Sequence, residues 1–150
     1  MSDQSERKIF TITVIGGSGF LGSHVADELS KAGHSVRIYD KIDSPWKSSG
    51  QEMIIGDLLD TDHLKSAIAG SDVVYNFAAL ADLEESIKKP IETVQINILG
   101  NVLALEACRL NGIKRFICAS TVYVSSREGS FYRCSKQAAE NYVEEYQRAH

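Results

Sequence analysis

Phe10 to Asp40 reads F-T-I-T-V-I-G-G-S-G-F-L-G-S-H-V-A-D-E-L-S-K-A-G-H-S-V-R-I-Y-D, and this stretch decides the fold. A β-branched apolar run (Ile12, Val14, Ile15) stops at a glycine cluster. An amphipathic segment from Phe20 to Ala32 follows, closed by Gly33, and a second apolar run spans Val36 to Tyr39. The order is strand, tight turn, helix, strand. The glycines satisfy two spacings, Gly17-x-Gly19-x-x-Gly22 and Gly16-x-x-Gly19-x-x-Gly22. The early ones allow the turn off the strand, Gly19 lets the helix N-terminus approach a pyrophosphate, and Gly22 lets the helix pack close to the sheet. The free N–H groups and dipole of that N-terminus then face a diphosphate. Asp40 ends the second strand about 20 residues on, where a dinucleotide fingerprint has an acid that accepts hydrogen bonds from the adenosine ribose hydroxyls. A carboxylate there repels a 2′-phosphate, which favours NAD over NADP, although Lys41 beside it acts the other way. Glycines alone read as a plain turn; the strand before, the helix after and the acid at the right distance make a dinucleotide site.

The rest of the chain repeats the rhythm. Lys41 to Gln51 holds Pro45, Ser48, Ser49 and Gly50 and reads as a loop. Glu52 to Gly56 reads as a short third strand ending at Asp57, and Asp60 or Thr61 caps a helix from Asp62 to Ala69. Val73 to Ala78 is a fourth strand. Leu80 to Lys89 reads as a loop with a short helix. Pro90 suits the first turn of a long helix from Ile91 to Leu110, stopped at Asn111-Gly112. Arg115 to Ala119 is a fifth strand, and Phe131 onward is helical. This predicts an α/β, Rossmann-like, doubly wound parallel sheet with five strands and helices on both faces. In the long helix Ile91, Val94, Ile98, Val102 and Leu105 form one apolar stripe, and Ile96, Leu99, Leu103 and Leu110 a second. One is expected to cover the sheet, the other to need a partner, another helix or a second subunit.

At 150 residues the chain reads as one NAD-binding domain, with residues 1–8 a flexible tail. Sixteen basic and twenty acidic side chains give a net charge of −4 without a basic stripe, so nucleic acid is not an expected partner. No signal peptide and no apolar run of membrane-spanning length is present, so no membrane is expected and the location reads as cytoplasmic. Cys108, Cys118 and Cys134 match no metal or redox spacing, His24, His34, His63 and His150 are scattered, and no metal is expected.

Asp57, Leu58, Phe77, Ala78 and Ala79 fall at carboxyl ends of strands, the edge where such sheets bind ligands. Asp57 reads either as a turn residue or as a cofactor contact, and the alanines either as packing or as the floor for a flat ring. Asn97, polar among apolar neighbours, reads equally as a hydrogen-bonding residue near the cofactor or as an exposed one. Tyr132 and Lys136 lie four apart on one helix face. A phenol with an ordinary pKa near 10 is a poor base, and a neighbouring cation favours phenolate. Tyr132 can then take a proton from a substrate hydroxyl as hydride leaves for nicotinamide, with Lys136 tuning it. Tyr-x-x-x-Lys alone is common on surface helices; here it follows a dinucleotide fold and a hydroxyl pair, Ser120-Thr121, at a strand end.

Taken together, G-G-S-G-F-L-G at Gly16 to Gly22, Asp40, G-D-L at Gly56 to Leu58, N-F-A-A at Asn76 to Ala79, Asn97, S-T-V-Y at Ser120 to Tyr123 and Y-R-C-S-K at Tyr132 to Lys136 resemble the extended short-chain dehydrogenase/reductases. The resemblance is to the NAD-dependent epimerase/dehydratases that act on nucleotide-sugars. It implies NAD as cofactor, contacted by Gly16, Gly19, Phe20, Leu21, Gly22, Asp40, Lys41, Asp57, Leu58, Phe77, Ala78, Ala79, Asn97, Ser120, Tyr132 and Lys136. It also implies a nucleotide-sugar substrate, catalysis by Thr121, Tyr132 and Lys136, and a homodimer through helices 91–110 and 131–149. Aligned from the strand end, Thr121 is the catalytic hydroxyl and Ser120 second; counted back from Val122-Tyr123, the position is Ala119. Ile15 stands where the family has a threonine and Val124 where it has a glycine. The family's substrate-binding region has no counterpart in these 150 residues, so the chain alone is expected to bind NAD without turning over substrate. A dehydrogenase or reductase of another hydroxyl substrate, or a non-catalytic NAD-binding module, are the competing readings.

Overall fold

The structure, a computed structural model, describes residues 8–150. Of the segment read as a tail, residues 1–7 lie outside the described residues, and Lys8 stands with its ammonium 5.1 Å from the centroid of the Phe10 ring.

Among the described residues one sheet has five parallel strands: β1 (Thr11–Ile15), β2 (Ser35–Asp40), β3 (Glu52–Ile55), β4 (Val73–Asn76) and β5 (Arg115–Cys118), in the order β3-β2-β1-β4-β5. The central strand β1 is buried on both faces from Ile12 to Ile15, which is why it reads as an unbroken β-branched run. α1 (Phe20–Lys31) covers one face through Ala26 over Ile12, Val14, Val36 and Ile38. α2 (Thr61–Ile68) and α5 (Gly100–Leu110) cover the other, with Leu64, Ile68, Ala104, Ala107 and Cys108 against Ile15, Tyr39 and Val74. The chain leaves β1 towards β2 on one side and reaches β4 on the other, so a crevice opens at the carboxyl ends of β1 and β4.

The long helix corrects the sequence reading. It is continuous but in three parts: α4 (Pro90–Thr93), a π-helical segment Val94–Leu99, and α5. Neither apolar stripe is the inner face as a whole, although Leu105 of the first is buried and Ile96 and Leu103 of the second pack against the core. Ile91, Val94, Leu99 and Leu110 are exposed, and the buried positions are Thr93, Asn97, Gly100, Asn101, Ala104, Leu105, Ala107 and Cys108. Small residues let the backbone approach the sheet, and Asn97 is held through both its amide oxygen and nitrogen and Asn101 through its oxygen alone, so shape and polar pairing decide the inner face. A β-carbon at Gly100 would sit 2.4 Å from Leu58 Cδ2, which makes Gly100 the seat for the Leu58 side chain.

α3 (Leu83–Lys88) and α6 (Ser130–Ala149) complete the fold, with α6 packed on α3, the π segment and α5. β4 ends at Asn76, two residues before its expected end, because Asn76 Oδ1 accepts the Ala78 N–H and turns the chain there.

Candidate functional site

A cleft of about 460 Å³ opens at the carboxyl ends of β1, β2, β3 and β4. Gly16, Gly19, Asp40, Lys41, Asp57, Leu58, Phe77, Ala78 and Ala79, all singled out from the sequence, line it. Gly16 has φ +75° and lies so close to β4 that a β-carbon would come within 2.5 Å of the Ala78 nitrogen, so only glycine fits this turn. Gly22 stands behind the turn, where a β-carbon would come within 2.2 Å of the Gly16 carbonyl oxygen. Its absent side chain seats α1 on the turn itself, a closer reason than helix-to-sheet packing. Phe20 and Leu21, in the first turn of α1, are exposed and do not line the cleft.

The N-terminus of α1 differs from those of α2 and α3. Asp60 caps α2 by accepting the His63 N–H, and Asp82 caps α3 by accepting the Glu85 N–H. α1 starts at Gly19 with no side-chain cap and no acid in its first turn. Its leading N–H groups therefore stay unneutralised beside the Gly16 and Gly19 rim of the cleft, the geometry that receives an anion. Asp40 holds the other side of the turn: one carboxylate oxygen accepts the Ser18 N–H at 3.0 Å, and the other the Ile42 N–H at 3.3 Å. Each oxygen keeps a further lone pair for a ligand hydroxyl. Asp57 makes the turn expected in its structural reading, accepting the Leu59 N–H at 2.8 Å, while also lining the cleft. Its carbonyl accepts the Tyr39 hydroxyl at 2.7 Å, and burial, with Asp60 and Asp57 adding, pushes the Tyr39 phenol up to about 12.

Glu92, Gln95 and Ile96 also line the cleft, and the sequence reading missed them. They come from the start of the long helix, and no local spacing marks them. Asn97, the next residue, is neither exposed nor part of the lining: it is buried, and its amide is bonded to Leu80 and Ser135.

A second group gathers where α6 lies over the end of β5. The Lys136 ammonium donates to the Ala119 carbonyl at 3.0 Å and stands 5.7 Å from the centroid of the Tyr132 ring. Gln137 donates to the Val124 carbonyl and Arg133 to that of Ser126, so these side chains, with Lys136, help fasten α6 to the segment after β5. Burial holds the Lys136 ammonium below its ordinary value and pushes the Tyr132 phenol up. The expected lowering of Tyr132 is absent here: burial is the cause of its shift, and the Lys136 ammonium is engaged with the Ala119 carbonyl. Ser120 donates its hydroxyl to the Glu140 carboxylate, a residue that the sequence reading passed over although it follows Tyr132 and Lys136 at the same four-residue spacing. Thr121 Oγ1 accepts the Tyr123 N–H at 3.4 Å, and its own proton has no partner among the described residues. Of the two hydroxyls, Thr121 is the one free to donate.

The profile of the NAD dependent epimerase/dehydratase family matches residues 12–150. This chain belongs to that family. Among curated relatives, the UDP-N-acetyl-alpha-D-glucosaminuronate decarboxylase of Bacillus cytotoxicus is 36% identical over 115 residues, 72% of this chain and 35% of the relative. The UDP-glucose 4-epimerase of Yersinia enterocolitica is 33% identical over 126 residues, 76% of this chain and 38% of that one. Among solved structures, UDP-glucose 4-epimerase from Brucella ovis in complex with NAD aligns with a TM-score of 0.85 at 29% identity, over 93% of this chain and 48% of that one. This member of the epimerase/dehydratase family thus spans 35–38% of these curated relatives and 48% of the solved structure. No helix among the described residues is long and apolar enough to cross a membrane.

Proposed function

We propose that the chain is the cofactor-binding portion of an NAD-dependent epimerase or dehydratase acting on a nucleotide-sugar. The observation that carries the reading is the uncapped N-terminus of α1 at the rim of the cleft at the β1/β4 crevice, with the Asp40 carboxylate bonded to the turn just before it. Gly16 and Gly19 give the diphosphate room, the leading N–H groups of α1 bind it, and Asp40 takes the adenosine ribose hydroxyls and disfavours a 2′-phosphate. Ala78 and Ala79 offer a flat apolar wall. The relatives' UDP-sugars support the substrate class.

NAD, when bound, supplies the hydride acceptor. Thr121 donates its free proton to the reacting sugar oxygen, and Tyr132 exchanges a proton with the same hydroxyl. In the ligand-free chain burial keeps Tyr132 protonated, the form that returns a proton. Lys136, desolvated and beside the ring, is the cation that stabilises phenolate when Tyr132 acts as base. The proposal includes a cytoplasmic location and a homodimer. For the dimer the support is exposed Ile91, Val94 and Leu99 on the long helix and half-exposed Tyr142 on α6.

Incubating the purified chain with NAD and a panel of UDP-sugars, following NADH absorbance and product, tests the function. Binding without sustained turnover is expected, because the chain spans less than half the length of its relatives. Sustained turnover would show that the substrate site is built from these residues, and absence of NAD binding would overturn the cofactor assignment.

A further inference from the structure

The segment from Ala119 to Ser130 leads from β5 into α6 and carries Thr121 near its start, with Tyr132 just past its end. No residue in it is buried, so no core contact fixes where Thr121 stands. A segment of this kind opens easily unless polar contacts hold it. Here they form a closed series. Thr121 Oγ1 accepts the Tyr123 N–H, and the Thr121 carbonyl accepts the Val124 N–H at 3.3 Å, which starts a 3-10 turn over Val122–Ser125. The Tyr123 carbonyl accepts the N–H of Ser126 at 3.0 Å and its hydroxyl at 3.2 Å, and Ser126 Oγ accepts the Glu128 N–H at 3.1 Å.

Two residues close the series against α6. Gly129 has φ +88°, and a β-carbon on it would lie 2.7 Å from Tyr123 Cβ and Cγ and 3.1 Å from Arg133 Cβ, so Tyr123 packs on its bare backbone. Arg133 donates from Nη1 to the Ser126 carbonyl at 2.9 Å, while its own N–H donates to the Gly129 carbonyl at 2.8 Å. Arg37, Arg109 and Arg148 each pair with a glutamate. Arg133 has no carboxylate partner among the described residues, and its Nε is buried without any hydrogen bond, so its guanidinium serves the segment instead. Lys136 and Gln137 hold the near half of the segment at Ala119 and Val124; the far half, Ser126 to Gly129, depends on Arg133 and Gly129. Ser130, at φ +47°, is the one non-glycine residue with positive φ among the described residues, and it stands two residues before Tyr132. Strain of that kind persists where the surroundings over-determine the backbone, and it collects at functional sites.

We propose that Gly129 and Arg133 are positioning residues that hold the Thr121 hydroxyl in register with the Tyr132 phenol. The assignment rests on the reading of these two as the groups that meet the reacting sugar oxygen. Both must reach one oxygen, yet they sit on opposite sides of the Gly129–Ser130 reversal. Arg133 follows Tyr132 in the chain and reaches back to the segment that carries Thr121, so one side chain ties the two carriers together. Alignment fixed before the ligand arrives is what makes such a two-group contact effective.

The test labels the full chain with ¹³C at threonine Cγ2 and tyrosine Cζ, the signals being assigned through Thr121→Ser and Tyr132→Phe. The Thr121 methyl of the unaltered chain is expected to be as ordered as that of Thr13, which is fully buried in β1. Arg133→Met removes the donor to Ser126, and Gly129→Ala displaces Tyr123. Each is expected to lose that order and to shift the Tyr132 Cζ resonance, with NAD affinity unchanged because neither residue lines the cleft. Arg133→Lys, which keeps a donor for the Ser126 carbonyl, is expected to restore both signals. A Thr121 methyl already mobile in the unaltered chain overturns the proposal, an arm that requires no variant to fold. A folded Arg133→Met or Gly129→Ala chain with both signals unmoved overturns it as well, and so does a lysine variant that restores neither. Retained turnover of Tyr132→Phe in a longer protein would instead overturn the catalytic reading of the pair, while the two resonances still report whether the groups are held together.

Discussion

Two alanine substitutions one helical turn apart separate a glycine required by the fold from one required by the ligand. At Gly22 an added β-carbon would lie 2.2 Å from the Gly16 carbonyl oxygen and 2.8 Å from Gly17 Cα, both backbone, so the start of α1 must retreat from the turn. Overpacking of this kind costs about 1–3 kcal/mol, offset by the roughly 1 kcal/mol helical preference of alanine over glycine. A net loss of up to about 2 kcal/mol lowers Tm by roughly 4–8 °C in a domain of this size. At Gly19 the same carbon meets only the Gly16 carbonyl oxygen, at 3.4 Å, in an extended conformation open to any residue. Gly19→Ala should therefore lose no more than about 1 kcal/mol, as the poorer helix cap. The added methyl nevertheless stands before the free N–H groups of α1. Loss of one charge-assisted hydrogen bond to the diphosphate, about 1.5–3 kcal/mol, weakens NAD roughly 10- to 100-fold. Thermal melts and calorimetric titration of both variants decide the matter. A Gly19→Ala chain that melts near the unaltered protein and binds NAD equally well would refute placement of the diphosphate at this helix.

Asp40→Ala should narrow the preference for NAD over NADP in parallel titrations, and cost about 1–3 kcal/mol of stability by stranding the buried Ser18 N–H; an unchanged preference would remove Asp40 from the ribose site. Tyr39 has its folded pKa raised from 10.0 to about 12 by burial, with Asp60 and Asp57 adding. Its contribution to stability is complete below pH 10 and is lost as pH rises towards 12, so Tyr39→Phe should flatten the fall in denaturation midpoint across that window. In a longer protein that carries this chain, Tyr132→Phe should cut turnover roughly 10²- to 10⁴-fold with NAD affinity retained, and near-normal turnover would take Tyr132 out of the mechanism. Glutamate at both Val94 and Leu99, exposed on the long helix, should yield monomers by sedimentation; an unaltered chain that is already monomeric would overturn the dimer.

The sequence discloses β1, α1 and β2 because each of their constraints is local. The Gly16 turn needs a positive φ, Gly22 a missing β-carbon, and Asp40 a place at the end of its strand. The inner face of the long helix is hidden for the opposite reason. Asn97, Gly100 and Asn101 face inward because Leu58, Leu80, Asn76 and Ser135 arrive from distant segments to fit them, so hydropathy alone does not mark that face. Glu92 and Gln95 reach the cleft by the same tertiary route. The pairing of Ser120 with Glu140 frees Thr121 as the available donor, and that choice between neighbouring hydroxyls exists only once α6 lies over β5. The Tyr132 phenol goes up because α6 is packed rather than solvated, and the four-residue spacing carries the cation but not the burial.

The central claim is that the cleft at the carboxyl ends of β1 and β4 holds NAD, and calorimetric titration of the unaltered chain with NAD and with NADP tests it most directly. The account predicts one NAD bound per chain, more tightly than NADP. No binding of either, or tighter binding of NADP, would contradict it.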